Sequence, residues 1–281
     1  MAEPEREQQS QSWSFNNTSS AALFDLSGTV ALITGGNSGI GRGIAIGLAQ
    51  AGADVFIASR NLQKSQSVCQ EITQLTNRRA YCTRCDVSIR EDVTRTVKEC
   101  EARYGRLDII VPNSGVSVGH PKNLHPDKDW DYVVNINLRS VYWFCHDAYP
   151  LLKASGRGKV LTIGSEYSLH GSMRTIGYAA SKHGVVGLTK SLAVSWADDG
   201  IQANCILPGW IKTPLAQPAI QHPIVGKAIR QKTPGHKAYG YPEDIVGLAI
   251  FLASRASNFV TGQSIAVDGG FSTSMLPHAG L

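Results

Sequence analysis

An α/β chain built on a doubly wound, seven-stranded parallel sheet is what three observations predict. Seven short apolar runs recur along the chain, segments of helix length separate them, and the runs are continuous rather than alternating. Continuous cores such as Val-Ala-Leu-Ile and Val-Phe-Ile-Ala suit strands covered on both faces, and strands alternating with helices make parallel sheets. The strands are expected at Val30–Thr34, Asp54–Ser59, Ala80–Cys85, Asp108–Val111, Lys159–Ile163, Gln202–Ile206 and Ser264–Val267. In such a sheet the ligand crevice lies outside the carboxyl ends of the strands.

Taken in order, residues 1–22 read as a disordered tail. Met1–Ser20 is polar, without the apolar core of a secretory signal, and too poor in apolar surface to offset the entropy of ordering. The remainder, 23–281, reads as one domain, since 281 residues fall within the range of a single α/β unit. A hydrophobic fraction of 42% supports a substantial core, and a formal charge of +5 is too mild and dispersed for a nucleic-acid partner. No apolar run is long enough to span a membrane. The six cysteines lie in apolar or helical patterns, which points to reduced thiols and a cytoplasmic setting. Cys82-Thr-Arg-Cys85 has knuckle spacing but no second ligand pair, so it reads as strand packing, and the scattered histidines suggest no metal.

The first strand runs into Thr34-Gly-Gly-Asn-Ser-Gly-Ile-Gly41, which opens an apolar helix at Ile40–Ala51. Glycines here permit a tight turn and close approach of the backbone to a pyrophosphate at the helix N-terminus. Gly35, Asn37, Ser38, Gly39, Ile40 and Gly41 are therefore candidate cofactor contacts. The second strand ends Ala58-Ser59-Arg60-Asn61, where an acidic residue would repel a ribose 2′-phosphate. Arg60 can instead pair with phosphate oxygens, and Ser59 or Asn61 can donate, so NADP(H) is favoured over NAD(H). Arg42 is a weaker phosphate candidate.

Tyr178 has Lys182 four residues later and Ser165 thirteen residues earlier. Spacing four puts tyrosine and lysine on one helix face, where a cation would favour the phenolate. A second Tyr-x-x-x-Lys, Tyr149-Pro-Leu-Leu-Lys153, lacks the serine, because Ile136 stands thirteen residues before it. It reads as the packed end of a helix stopped near Pro150. Long helices are expected over Asp127–Leu152 and Gly177–Asp198, more apolar than solvent-facing helices should be. The proline-rich stretch Trp210–Tyr241 reads as a long loop, of the kind that forms lids.

On the glycine turn and the Ser, Tyr-x-x-x-Lys pattern, the chain resembles the short-chain dehydrogenase/reductase family, whose fold is of the Rossmann type. Further marks fall in register: Asp86-Val87, Asn113-Ser-Gly115, Asn137-Leu138, and Pro208-Gly209 with Thr213. The resemblance covers roughly Leu23–Phe271. It implies that Asp86 and Val87 contact adenine, that Asn113 and Gly115 shape the cofactor floor, and that Ile211 and Thr213 hold the nicotinamide carboxamide. It also implies that Tyr178 is the general acid/base of a ketone/secondary-alcohol oxidoreductase. Lys182 would bond the nicotinamide ribose, Ser165 would orient the substrate oxygen, and Asn137, with Asn135 as its rival, would hold a relay water. The family's Asn-Asn-Ala-Gly is here Pro112-Asn-Ser-Gly, which loses one backbone donor and one amide.

The substrate pocket is expected from Val116, Val118, Leu169, Met173 and Trp210, with Arg174, Lys212, Lys227 and Arg230 as cations. Glu166 beside Ser165 could join acid/base work, but reads as a solvated or hydrogen-bonded side chain. Leu192–Trp196 and Pro208–Thr213 resemble 3-oxoacyl and sugar-acid reductases, and Asn113–Val116 resembles fungal naphthol reductases. A cofactor-binding sensor or scaffold, or a lyase or cyclase on the same fold, stands as the alternative. By analogy the two long helices and the last strand would form a homodimer or homotetramer.

Overall fold

The computed structural model describes residues 19–120, 126–235 and 238–275. Seven strands form one parallel sheet: β1 (Val30–Thr34), β2 (Asp54–Ser59), β3 (Ala80–Arg84), β4 (Ile109–Val111), β5 (Lys159–Ile163), β6 (Gln202–Pro208) and β7 (Ser264–Val267). Their order, β3-β2-β1-β4-β5-β6-β7, reverses direction between β1 and β4. The predicted doubly wound sheet is borne out. β6 runs two residues longer than expected because Leu207 and Pro208 still pair with Ala266 and Val267 of β7.

Helices cover both faces: α1 (Gly39–Gln50), α2 (Leu62–Thr76), α3 (Arg90–Tyr104), α4 (Asp127–Val134), α5 (Ser140–Ser155), α6 (Ile176–Ser195), α7 (Gln217–Gln221), α8 (Pro223–Lys232) and α9 (Pro242–Ala253). Successive β1 side chains point to opposite faces. Val30 and Leu32 join a core with Phe144 and Val185, while Ala31 and Ile33 join one with Ile44, Leu48 and Ile245. Every residue of β1, β2, β4 and β5 is buried, as their unbroken apolar runs require.

Three expectations need correction. The helix predicted to stop near Pro150 continues to Ser155, with Pro150 inside it, and ends at Gly156 with φ +67°. Pro150 and His146, whose carbonyl it leaves unpaired, are both exposed, so water can serve that carbonyl. A π-helical turn, Asn135–Arg139, joins α4 to α5. The stretch read as loop carries α7 and α8, each with a proline in its first turn, where the missing N–H costs nothing.

Most of the expected tail lies outside the described residues. Ser20–Phe24 forms a 3-10 turn, with Phe24 against Phe251 of α9 at 6.4 Å between ring centroids. Cys82 packs against Cys69 of α2, and all six cysteines are free thiols. Tyr149 is a packing residue, as read. Its hydroxyl donates to Asp199 Oδ2 at 2.6 Å and its ring lies 4.9 Å from that of Trp196. Among the described residues no helix is long and apolar enough to cross a membrane, and no group of three or more His, Cys, Asp or Glu could hold a metal ion.

Candidate active site

At the carboxyl end of the sheet, where the strand order reverses, a cleft of about 1020 Å³ runs from the tip of β2 to α6 and α8. Its floor is the turn after β1. Gly35 and Gly39 have φ of +66° and +52°, the left-handed region that favours glycine. A Cβ on Gly41 would stand 2.4 Å from Asn113 Nδ2 and 2.5 Å from Gly35 O. Ser38 precedes α1 in extended conformation and makes no side-chain cap, so it leaves the first N–H groups of the helix, which have no intrahelical partner, able to meet an anion.

Across the strand reversal, Thr34 ties β1 to the segment after β4. Its hydroxyl accepts from the N–H of Asn113 (3.0 Å) and Ser114 (2.9 Å), and Asn113 Nδ2 donates to Thr34 O at 2.9 Å. The proline at 112 removes a donor without disturbing this clasp. Asp86 and Val87 line one wall, Asp86 Oδ1 accepting from the hydroxyl and N–H of Ser88. Pro208, Gly209, Ile211 and Thr213 line the other.

At the β2 tip, Asn37 Nδ2 donates to Ser59 Oγ (2.6 Å) and Asn61 O (3.2 Å), and Ser59 Oγ shares a proton with Ser65 Oγ at 2.7 Å. Asn61 Oδ1 caps α2 by accepting from Lys64 N at 2.9 Å. Ser59 and Asn61 thus use these groups to build the turn. Arg60, exposed, and Lys64 both line the cleft there. Lys64 escaped the sequence reading, although Asn61 before a helical run is a capping signal that places Lys64 on the first turn. Arg42 pairs with Glu71 instead and does not line the cleft.

The opposite end gathers Ser165, Tyr178 and Lys182. Ser165 follows β5, and Tyr178 and Lys182 share one face of α6. The Ser165 hydroxyl donates to Glu166 Oε2 at 2.9 Å and accepts from Tyr167 N at 3.2 Å. Lys182 Nζ donates to Ile163 O at 2.7 Å and lies 5.6 Å from the Tyr178 ring centroid. Burial lowers Lys182 to about 8. Burial, and then the charge of Glu166, raise the Tyr178 phenol, with Ser165 acting the other way.

Asn137, fully buried in the π-helical turn, stands behind the cleft wall. Its Oδ1 accepts from Val116 N (2.8 Å), and its Nδ2 donates to Val116 O (2.9 Å) and Ser181 Oγ (3.1 Å). It locks the segment after β4 onto α6. Asn137 Oδ1 and Lys182 Nζ stand 3.4 and 3.7 Å from the position of a Cβ on Gly115, so both flank that glycine. Asn135 does not line the cleft. π-turns favour functional sites, but nothing in the residue pattern marked this one.

Of the expected substrate contacts, Val116, Met173, Trp210 and Arg174 line the cleft, as do His222 and Val225 of the α8 segment. Val118, Leu169, Lys212, Lys227 and Arg230 do not. Lys212 and Arg230 bond the hydroxyls of Tyr241 and Tyr239. Glu166, read as solvated or hydrogen-bonded, is hydrogen-bonded and 5% exposed.

A family model described as enoyl-(acyl carrier protein) reductase matches residues 35–272. The 2-dehydro-3-deoxy-D-gluconate 5-dehydrogenase of Bacillus subtilis is 38% identical over 248 residues, covering 88% of this chain and 96% of its own. A tropinone reductase homolog of Arabidopsis thaliana is 35% identical over 258 residues, 91% and 97% of the two chains. A gluconate 5-dehydrogenase from Burkholderia cenocepacia, solved in complex with NADP and tartrate, matches with a TM-score of 0.87 at 34% identity, over 92% of this chain and 100% of that one. A family match across most of the chain, with relatives this similar along nearly their whole lengths, makes this protein an oxidoreductase of the short-chain dehydrogenase/reductase family.

Proposed function

We propose that the protein interconverts a ketone and a secondary alcohol with NADP(H), Tyr178 moving the proton. The observation that carries this reading is the meeting of Ser165, Tyr178 and Lys182 at one end of a cleft whose other end is an uncapped helix N-terminus flanked by Arg60 and Lys64. The cleft fits a dinucleotide phosphate. Gly35 and Gly41 leave room for a pyrophosphate at α1, Arg60 and Lys64 offer cations to a 2′-phosphate, Asp86 and Val87 flank the adenine side, and Ile211 and Thr213 the nicotinamide side. When bound, the nicotinamide supplies or accepts hydride at the substrate carbon.

The chain's own residues handle the oxygen. Tyr178 gives its phenolic proton to the developing alkoxide, or takes one from the alcohol in reverse. Ser165 orients that oxygen, and Lys182 stabilises the phenolate once Tyr178 has lost its proton. Asn137 holds the wall in register. Structural relatives solved with NADP support this cofactor over NAD(H). The sugar-acid relatives, together with Arg174 at the substrate end, favour a hydroxylated carboxylic acid as substrate.

We also propose a cytoplasmic homotetramer or homodimer. Trp130, Tyr132, Tyr142 and Val194 are exposed on α4, α5 and α6, and a second copy would cover them. Light scattering showing a monomer at micromolar concentration contradicts the assembly. For the activity, purified protein is assayed with NADPH and with NADH against keto-sugar acids, 3-oxoacyl esters, quinones and simple ketones. NADPH consumption with the keto-acids is expected, whereas NADPH binding with no turnover on any of these classes contradicts the reading.

A further inference from the structure

Glu166 opens the single helical turn Glu166–Ser168 and lines the cleft, yet it is 5% exposed. Its Oε2 accepts a hydrogen bond from Ser165 Oγ at 2.9 Å. The backbone around the pair is pinned: Ser165 N donates to Ser168 Oγ (3.2 Å), and Ser168 Oγ donates to Lys182 O (2.8 Å). What remains adjustable is the Ser165 hydroxyl rotor.

A hydroxyl has one proton and two acceptor sites, and Tyr167 N–H already occupies one of the latter. A ketone oxygen can only accept. An ionised Glu166 is the strongest acceptor within reach, and a charge-assisted bond to it withholds the Ser165 proton from the cleft. A protonated Glu166 donates to Ser165 Oγ instead and frees that proton for the substrate. No bond between heavy atoms forms or breaks; one proton binds at a Glu166 oxygen.

We propose that Glu166 is a positioning residue that sets the direction of the Ser165 hydrogen bond, so that its protonated form promotes carbonyl reduction and its ionised form slows it. This rests on the reading that Ser165 faces the reacting oxygen. The groups facing Glu166 are Asp268 just after β7, Lys232 at the end of α8, Tyr178 of α6 and Tyr167 of its own turn. Burial, opposed by the bonds from Ser165 and from its own N–H and by Lys232, and reinforced by Asp268, pushes its carboxyl up to about 7.

The test compares pH profiles of kcat/KM for ketone reduction in wild type and Glu166→Gln, whose neutral amide does not titrate and can donate to Ser165 at every pH. Wild type is expected to fall about tenfold per pH unit above a neutral limb. Glu166→Gln lacks that limb and exceeds wild type several-fold at alkaline pH, while limbs from Lys182 and Tyr178 persist in both. An assay without turnover, the infrared C=O stretch of a protonated buried carboxyl, is expected to titrate away through neutrality in wild type and to be missing from Glu166→Gln. The same neutral limb in both proteins, or a carboxyl band that does not titrate there, overturns the proposal. A titrating band in a wild-type protein that reduces no ketone locates the failure in the oxidoreductase reading beneath it, and the proposal falls with that reading.

Discussion

Two buried lysines stand at opposite ends of the same strand. Lys159 begins β5, its Nζ donating to Ser257 Oγ (3.3 Å) and Asn258 Oδ1 (3.1 Å). Lys182 donates to Ile163 O at the other end of β5. Burial lowers both to about 8. A displaced pKa therefore does not mark a site by itself. What separates the two is place: Lys182 lies at the carboxyl edge of the sheet, in the cleft beside Tyr178, whereas Lys159 lies at the amino edge among serine and asparagine of the α9–β7 connection.

The sharpest way to break this comparison is to remove each ammonium. Lys182→Met is expected to lower kcat by about 10²–10⁴-fold, the range of a lost proton-transfer partner, and Lys159→Met to leave it unchanged in a steady-state assay. Equal losses would erase the distinction. Stability should separate them as well. Lys159→Met replaces a costly buried charge by an isosteric apolar chain, and exposed Asn258 can turn to water, so a gain of about 1–3 kcal/mol is expected. That is a few degrees in Tm for a chain of this size. A fall in Tm would mean that the two hydrogen bonds outweigh desolvation.

The contribution of the two lysines to the pH dependence of stability has a determined sign. Each lysine has a folded pKa below its ordinary 10.5, so between about pH 8 and 10.5 the unfolded chain binds more protons. The two lysines therefore contribute stability that rises with pH across that window, by up to about 3 kcal/mol each, while the buried thiols of Cys85, Cys100 and Cys145, pushed up by burial, contribute in the opposite direction. Denaturant titrations at both limits should show that Lys159→Met changes less favourably with rising pH than wild type, by the contribution of that one lysine. An unchanged slope would contradict the burial argument. Arg60 sharpens the contrast from the exposed side, where a cation costs little to keep and acts only through a partner. Arg60→Asp is expected to weaken NADPH affinity about tenfold, or about 1.4 kcal/mol, and to narrow the preference over NADH, as read by fluorescence titration. Unaltered affinity would leave Lys64 as the main phosphate partner.

The residue pattern made the strands and the glycine turn legible because both depend on local chemistry: continuous apolar runs for β1, β2 and β5, and the close approaches at Gly41. The Ser165, Tyr178 and Lys182 spacing was legible for the same reason. Features decided by distant contacts were not. Pro150 is tolerated within α5 because its face is exposed, and β6 is lengthened by β7. Glu166 read as solvated or hydrogen-bonded, and only the packed fold decides between the two, burying it against Ser165. Lys182 read as a cation near Tyr178, and only the packing of α6 on β5 shows that its ammonium also donates to the carbonyl of Ile163.

In the proposed mechanism Tyr178 moves a proton rather than merely shaping a binding site. The most direct measurement is NADPH binding and ketone turnover by Tyr178→Phe, side by side with wild type. Unchanged NADPH affinity and a loss of kcat of about 10²–10⁴-fold are expected; full retained turnover would contradict that role for Tyr178.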